Sequence, residues 1–239
     1  MKIFFKIIFL ALPLHFFSQV TGGYIAGSFG AAIPRGNFAG TNARYATGFA
    51  TTGSSFALNF AYKPQTFFAG IAVLVRSQSN PIDLQAMQTK FAGANPGSAG
   101  WEIKGKPWNV NLFMVGGYSP LAMRRSDIFS LHFKYMFGAA YSAMPELNAT
   151  YQQNGQTNST RAIGATAISA AYLLGFGMNY NVNSRICVLA DIDYFGTKAE
   201  FVLSETTIGS PTPSSPITHT YSQTISSINL TAGIGYRLK

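Results

Sequence analysis

Residues 128–141 read IFSLHFKYMFGAAY, and the side chains alternate with a period of two. Phe129, Leu131, Phe133, Tyr135, Phe137, Ala139 and Tyr141 fall on one face of an extended chain. Ser130, His132, Lys134, Met136, Gly138 and Ala140 fall on the other. Successive residues of a strand point to opposite sides, so this pattern predicts a strand with one greasy and one small or polar face. The same reading applies at 55–62 (Phe56, Leu58, Phe60, Tyr62 on the apolar face), 169–180 (Tyr172, Leu174, Phe176, Met178, Tyr180), 185–194 (Ile186, Val188, Ala190, Ile192, Tyr194) and 227–238 (Ile228, Leu230, Ala232, Ile234, Tyr236, Leu238). At 66–76 the apolar face is assigned to Phe67, Ile71, Val73 and Val75, which turns Arg76 the other way. At 23–33 it is assigned to Ile25, Phe29 and Ile33. At 108–118 it is assigned to Trp108, Val110, Leu112, Met114 and Tyr118, opposite Asn109 and Asn111.

Eight strands result, and their connections alternate in length. Residues 34–48, 77–106, 143–163 and 197–221 are expected as long loops. Lys63–Gln65, Ser119–Ser126 and Asn181–Ser184 are expected as short links. Short turns on one side and long loops on the other are the signature of an up-and-down transmembrane barrel. The fold expected is therefore all-β: an eight-stranded antiparallel transmembrane β-barrel with long extracellular loops. One loop is expected to hold a short helix over 80–93 (NPIDLQAMQTKFAG), capped at Asn80, with Pro81 in its first turn, Leu84, Met87 and Phe91 on one face, and Gly93 and Pro96 as the stop.

Composition decides which face meets which solvent. Charged residues are only 10% of the 239, against about 25% in soluble domains, while aromatics reach 14%. Turned outward, the small face would offer water few solubilising groups. Turned inward, it fits the narrow interior of eight strands. The large apolar face is accordingly read as lipid-facing. Tyr62, Tyr118 and Tyr236 are placed at the periplasmic rim, Trp108 and Tyr194 at the opposite rim, and Tyr172 and Tyr180 at the two ends of their strand, together forming an aromatic girdle. Leu174 is outward near mid-height. Gly175 is inward, where a serine is expected to be milder than an arginine at Leu174 if space allows.

Residues 1–19, MKIFFKIIFLALPLHFFSQ, carry a basic start at Lys2 and Lys6 and an apolar run from Ile7 to Phe17. The run is too short for a spanning helix of about 20 residues and matches a cleaved secretory signal peptide, leaving 20–239 as the barrel domain. Removing Lys2 and Lys6 lowers the net charge from +9 to +7. The remaining basic residues are scattered at rims and loops. They are expected to meet lipid phosphates, and nucleic acid is not expected as a partner.

The inward face carries Arg76, His132, Lys134, Asp191 and Asp193. A charge in a narrow lumen needs a partner, so Lys134–Asp191 and Arg76–Asp193 contacts are expected, with His132 nearby, plugging the barrel. Ser130, His132 and an inward aspartate are also the residue types of a Ser–His–Asp relay. Their lumenal place favours a polar network, so no enzymatic activity and no catalytic residue is expected. A single cysteine, Cys187, excludes an internal disulfide, and His132 and His219 lack ligand partners at metal-binding spacing. No metal or cofactor is expected. The loop segment GSPTPSSP at 209–216 reads as exposed.

The opening GGYIAGSFGAAIPRGNF (22–38), the strand ICVLADIDYFG (186–196) and the closing INLTAGIGYRL (228–238) resemble the eight-stranded outer-membrane β-barrel proteins of Gram-negative bacteria, the OmpA/OmpX-like and porin-like small barrels. That resemblance spans about residues 22–239. It implies location in the cell outer membrane, contact with outer-membrane lipids, and insertion by the barrel-assembly machinery. The ending Tyr236–Arg237–Leu238–Lys239 departs from the terminal aromatic that this machinery commonly reads. The expected role is structural or surface-interacting, through loops that meet an extracellular ligand or protein. A narrow porin-like channel is the second reading and a lipid-modifying enzyme the third.

Overall fold

The structure is a computed structural model, and it describes residues 22–41, 47–64, 69–122, 128–208 and 217–238. The signal-peptide segment, Phe67 and the 209–216 loop lie outside the described residues. Among the described residues, eleven strands and one α-helix follow in the order β1 (Gly22–Pro34), β2 (Gly53–Lys63), β3 (Gly70–Asn80), α1 (Leu84–Ala94), β4 (Ser98–Gly105), β5 (Trp108–Ala122), β6 (Phe129–Ala143), β7 (Leu147–Gln153), β8 (Gln156–Ala162), β9 (Thr166–Asn181), β10 (Ile186–Ile208) and β11 (Ile217–Leu238).

Eight of these strands close on themselves in the order β1, β2, β3, β5, β6, β9, β10, β11, and β11 pairs again with β1. Every neighbouring pair is antiparallel. Followed once around the barrel, the register leads from Tyr24 through Ala61, Ala72, Gly116, Met136, Leu173, Phe195 and Ser227 back to Pro34 of β1, ten residues higher. A shear of ten for eight strands tilts them by roughly 40° and leaves an interior that side chains can fill.

Period-two patterning governs burial as the sequence leads one to expect. On β6, Phe133, Tyr135, Phe137 and Tyr141 are exposed on the outside, and His132, Lys134, Met136 and Ala140 are buried within. On β2, β9, β10 and β11 the outward sets are those read from the sequence. The outside of the closed barrel is thus a continuous apolar band, the surface of a membrane-spanning barrel.

β5 is turned the other way. Trp108, Val110, Leu112, Met114 and Tyr118 are buried in the lumen, and Phe113 and Val115 face out. Both parities of this strand carry apolar side chains. The upper lumen is filled by large residues, so the bulkier set goes inward, while Asn109 and Asn111 sit on the outer surface at the extracellular end.

The long loops are also more ordered than expected. β10 has 23 residues and β11 has 22, about twice the 9–11 that a bilayer requires, so their upper halves stand above the membrane. There β8 pairs with the end of β10, β7 with β8, and β4 with β7. Part of 77–106 and most of 143–163 thereby become an extracellular sheet, here called the outcrop. The β7–β8 hairpin turns at Asn154 and Gly155, both with positive φ (53° and 75°), as a two-residue turn between right-twisted strands requires.

Helix α1 begins later than the sequence suggests. Asp83 is its cap, accepting from the Ala86 amide at 2.9 Å. Asn80 instead ends β3 inside the barrel, donating to the carbonyls of Ala32 and Thr51, each at 2.9 Å. The helix ends at Ala94, one residue past Gly93. Met87 on α1 packs with Phe49 and Ile103 in a small core that is separate from the barrel interior.

Candidate functional site

The lumen is built in three tiers. At the periplasmic mouth, Tyr24 and Tyr118 meet edge to face with ring centroids 5.8 Å apart, and Asn179 reaches the Tyr118 hydroxyl at 3.4 Å. With Cys187, Ser130 and Arg237 they enclose a chamber of about 40 Å³.

The middle tier holds the charges. Lys134 and Asp193 are both register neighbours of Gly175, and His132 and Asp191 are both register neighbours of Gly177. β9 therefore lies between the cationic strand β6 and the acidic strand β10, and its two glycines leave the space in which the side chains meet. Lys134 Nζ lies 3.1 Å from Asp191 Oδ1 and 3.6 Å from Asp193 Oδ1. His132 Nε2 is 2.7 Å from Asp191 Oδ1. Arg76 reaches from β3, four strands around the eight-strand ring, and its guanidinium pairs with Asp193. All five side chains are at most 2% exposed. Burial of a single unpaired charge costs several kcal/mol. Here two cations face two carboxylates, and His132 supplies a further polar contact.

Gly175 is thus no ordinary lumen position. A Cβ there would run into the Asp193 carboxylate and come within 3.3 Å of Lys134 Cε. At Gly177 it would strike Asp191 and come within 2.6 Å of His132 Nε2. The space that a milder serine at Gly175 would need is therefore taken by these side chains. Two inward glycines spaced two apart in LLGFGM are the sequence signal for a groove on that strand.

The upper tier is apolar. Trp108 lies 5.6 Å from Phe38 and 5.8 Å from Phe201 between ring centroids, and Phe195, Leu112 and Ile225 are buried with them. Phe38 comes from a 3-10 turn, Gly36–Phe38, that dips into the barrel mouth. The loop is fixed there by the Trp108 indole, which donates to Gly48 O at 2.8 Å, by Ala50 N to Phe38 O at 3.0 Å, and by Ser226 Oγ to Arg35 O at 3.0 Å. The sequence reading missed this tier because it placed Trp108 on the outer face.

Of the residues assigned to the aromatic girdle, Tyr62, Tyr172, Tyr180, Tyr194 and Tyr236 are exposed on the outside, and Tyr172 and Tyr194 lie side by side at 6.1 Å. Trp108 and Tyr118 belong to the lumen. Ser130 lines the mouth chamber, whereas His132 turns Nε2 to Asp191, so the structure does not assemble a serine–histidine pair. Among the described residues, no three His, Cys, Asp or Glu side chains are grouped to hold a metal ion.

Above the membrane, the outcrop carries its own charges. Arg161 pairs with Glu146 through both Nε (2.7 Å) and Nη2, and Lys106 Nζ lies 3.2 Å from the same carboxylate. The Arg161 hydrogen bond, then that of Lys106, holds the Glu146 carboxyl below the usual range.

No family model and no curated protein sequence matches the chain. Among solved structures it is similar to Ail, the attachment invasion locus protein of Yersinia pestis (15% identity, TM-score 0.41, covering 92% of this chain and all of that one). It is similar to Neisserial surface protein A (13%, 0.45, 92% and 97%) and to the outer membrane protein OprG from Pseudomonas aeruginosa (12%, 0.42, 92% and 97%). At such identities the likeness is one of fold, and the class of the protein, a small transmembrane β-barrel, rests on its own closed register and apolar outer band.

Proposed function

We propose that this chain is an outer-membrane barrel that does not conduct and that works as a surface platform, presenting the outcrop and its neighbouring loops to extracellular partners. One observation carries the reading: the lumen is closed twice, by the charge cluster at mid-height and by the Phe38–Trp108–Phe201 packing above it. A pore for solutes would need both tiers to open. The outward apolar band and the tyrosines along it support residence among outer-membrane lipids, with delivery by the barrel-assembly machinery. The burial of His132 and Asp191, with His132 Nδ1 left without a bond to Ser130, supports a structural role over catalysis. The test is planar-bilayer recording of the refolded protein. A flat baseline is expected. Reproducible conductance steps would replace this reading with that of a narrow channel.

A further inference from the structure

Three connections between the barrel and the outcrop converge on one outer side: Lys106–Pro107 between β4 and β5, residues 144–146 between β6 and β7, and residues 163–165 between β8 and β9. Between them lies a cavity of about 300 Å³ lined by Lys106, Asn109, Glu146, Arg161 and Ile163. A second cavity of about 200 Å³, lined by Lys104, Lys106, Glu146 and Asn148, shares two of those residues. We infer that this foot of the outcrop binds the phosphorylated sugar headgroup of a glycolipid in the outward-facing leaflet. The inference rests on the barrel spanning the outer membrane.

Charge argues for an anion. Lys104, Lys106 and Arg161 surround the paired cavities. Glu146 holds Lys106 and Arg161 in place without exhausting them, since an ammonium offers three donors and a guanidinium five. Among the described residues Lys104 pairs with Glu102 alone, at 2.9 Å, with both side chains well exposed. Such a pair is worth about 0–1 kcal/mol and exchanges readily for a phosphate. Asn109 and Asn148 add amides suited to sugar hydroxyls.

The surface beneath the cavities argues for a lipid as the source of that anion. On the barrel's outer face Asn109 comes first, then Asn111 in a row with Tyr141 and Ile168, then Phe113 in a row with Ala139 and Ala170, then Val115 in a row with Phe137 and Tyr172. Ile168 is 77% exposed and Phe137 68%. Along β5 polar side chains thus give way to apolar ones within a few residues, and the two alanines leave a gap between the Tyr141–Ile168 and Phe137–Tyr172 rows. A headgroup above and an acyl chain below would follow this step. A free sugar phosphate would use only its upper half.

The full-length protein, refolded in zwitterionic micelles, is titrated with bisphosphorylated lipid A and with its phosphate-free analogue, and bound lipid is read by native mass spectrometry. The phosphorylated lipid is expected to bind at least about tenfold more tightly. Lys106→Gln and Arg161→Gln should each weaken it about fivefold, with Arg161→Lys recovering part of the loss. Lys198→Gln, at an exposed lysine higher on β10, should leave it within about twofold. Equal binding of the two lipids, or equal losses at Lys106 and Lys198, would overturn the site. Displacement by an equal concentration of glucose 1-phosphate would overturn the lipid assignment. Gel mobility before and after boiling separates the two levels of failure. A folded, heat-shifted barrel that does not discriminate refutes this inference alone, whereas a sample that never forms the barrel refutes the membrane reading beneath it.

Discussion

The lumen and the outcrop are both made of antiparallel strands, yet they sort their side chains in opposite directions. Inside the barrel, Arg76, Lys134, Asp191 and Asp193 are buried while Val75 of β3, Phe133 and Phe137 of β6 and Ile192 of β10 face outward. At the outcrop, Ile103 of β4 is buried against Phe49 and Met87, and Lys104, Lys106 and Arg161 are exposed. The medium outside each region sets the difference. Hydrocarbon rewards apolar side chains on the surface and leaves charges to find one another within, whereas water does the reverse. An ion pair in the first region is therefore structural, and one in the second is exchangeable.

If this contrast holds, the largest effect belongs to the lumen. Lys134→Met leaves Arg76 as the one Lys or Arg paired with Asp191 and Asp193 among the described residues, and the loss should approach about 3–5 kcal/mol for a fully buried charge, read by urea unfolding of refolded protein. A loss below 1 kcal/mol would mean that water reaches the cluster and that the two regions are alike. Next, Leu174→Arg places a charge on the lipid face and should cost roughly 2–4 kcal/mol near the bilayer midplane. A neutral result there would reverse the parity of β9. Gly177→Ala should then cost about 1–3 kcal/mol by overpacking, because the added methyl enters the His132–Asp191 contact, while alanine at the open loop glycine Gly97 should be silent.

The smallest effect belongs to the outcrop. Because Arg161 and Lys106 lower the folded-state pKa of Glu146, the tie contributes stability that is present above the unfolded carboxylate value of about 4.3 and is lost as pH falls through the lower folded value. Pepsin should cut within 147–162 faster as pH drops below about 4, with barrel mobility on gels unchanged. Divided by pepsin's rate on an unstructured peptide at each pH, the cleavage of Glu146→Gln should be independent of pH. The same dependence in both proteins would remove Glu146 from the account.

How far the sequence carries depends on how different the two faces of a strand are. β6, β9, β10 and β11 set Phe, Leu, Ile and Tyr against Gly, Ser, Asn and Asp, so parity is legible and brings Lys134 and both aspartates to one lumen. β5 sets Trp108, Leu112 and Met114 against Phe113 and Val115, and size alone cannot choose between them. The choice depends on Phe38 and Phe201, which reach the same space from distant parts of the chain. β7 and β8 are polar on both faces, NATYQQ and QTNSTR, so alternation gives no signal. Asn154–Gly155 between them was the legible mark of a hairpin. The heights of Arg76 and Asp193 depend on barrel stagger, which only the closed register supplies.

The central claim is that the mid-lumen charges hold one another across the two glycines of β9, and a double-mutant cycle on Arg76 and Asp193 tests it most directly. Arg76→Met and Asp193→Asn together leave Lys134 and Asp191 as a balanced pair. Unfolding of the four refolded proteins in urea should give two costly single changes and a double change less costly than their sum by about 1–3 kcal/mol. Strict additivity would contradict the claim, and would leave Arg76 and Asp193 as independently hydrated residues of an open lumen.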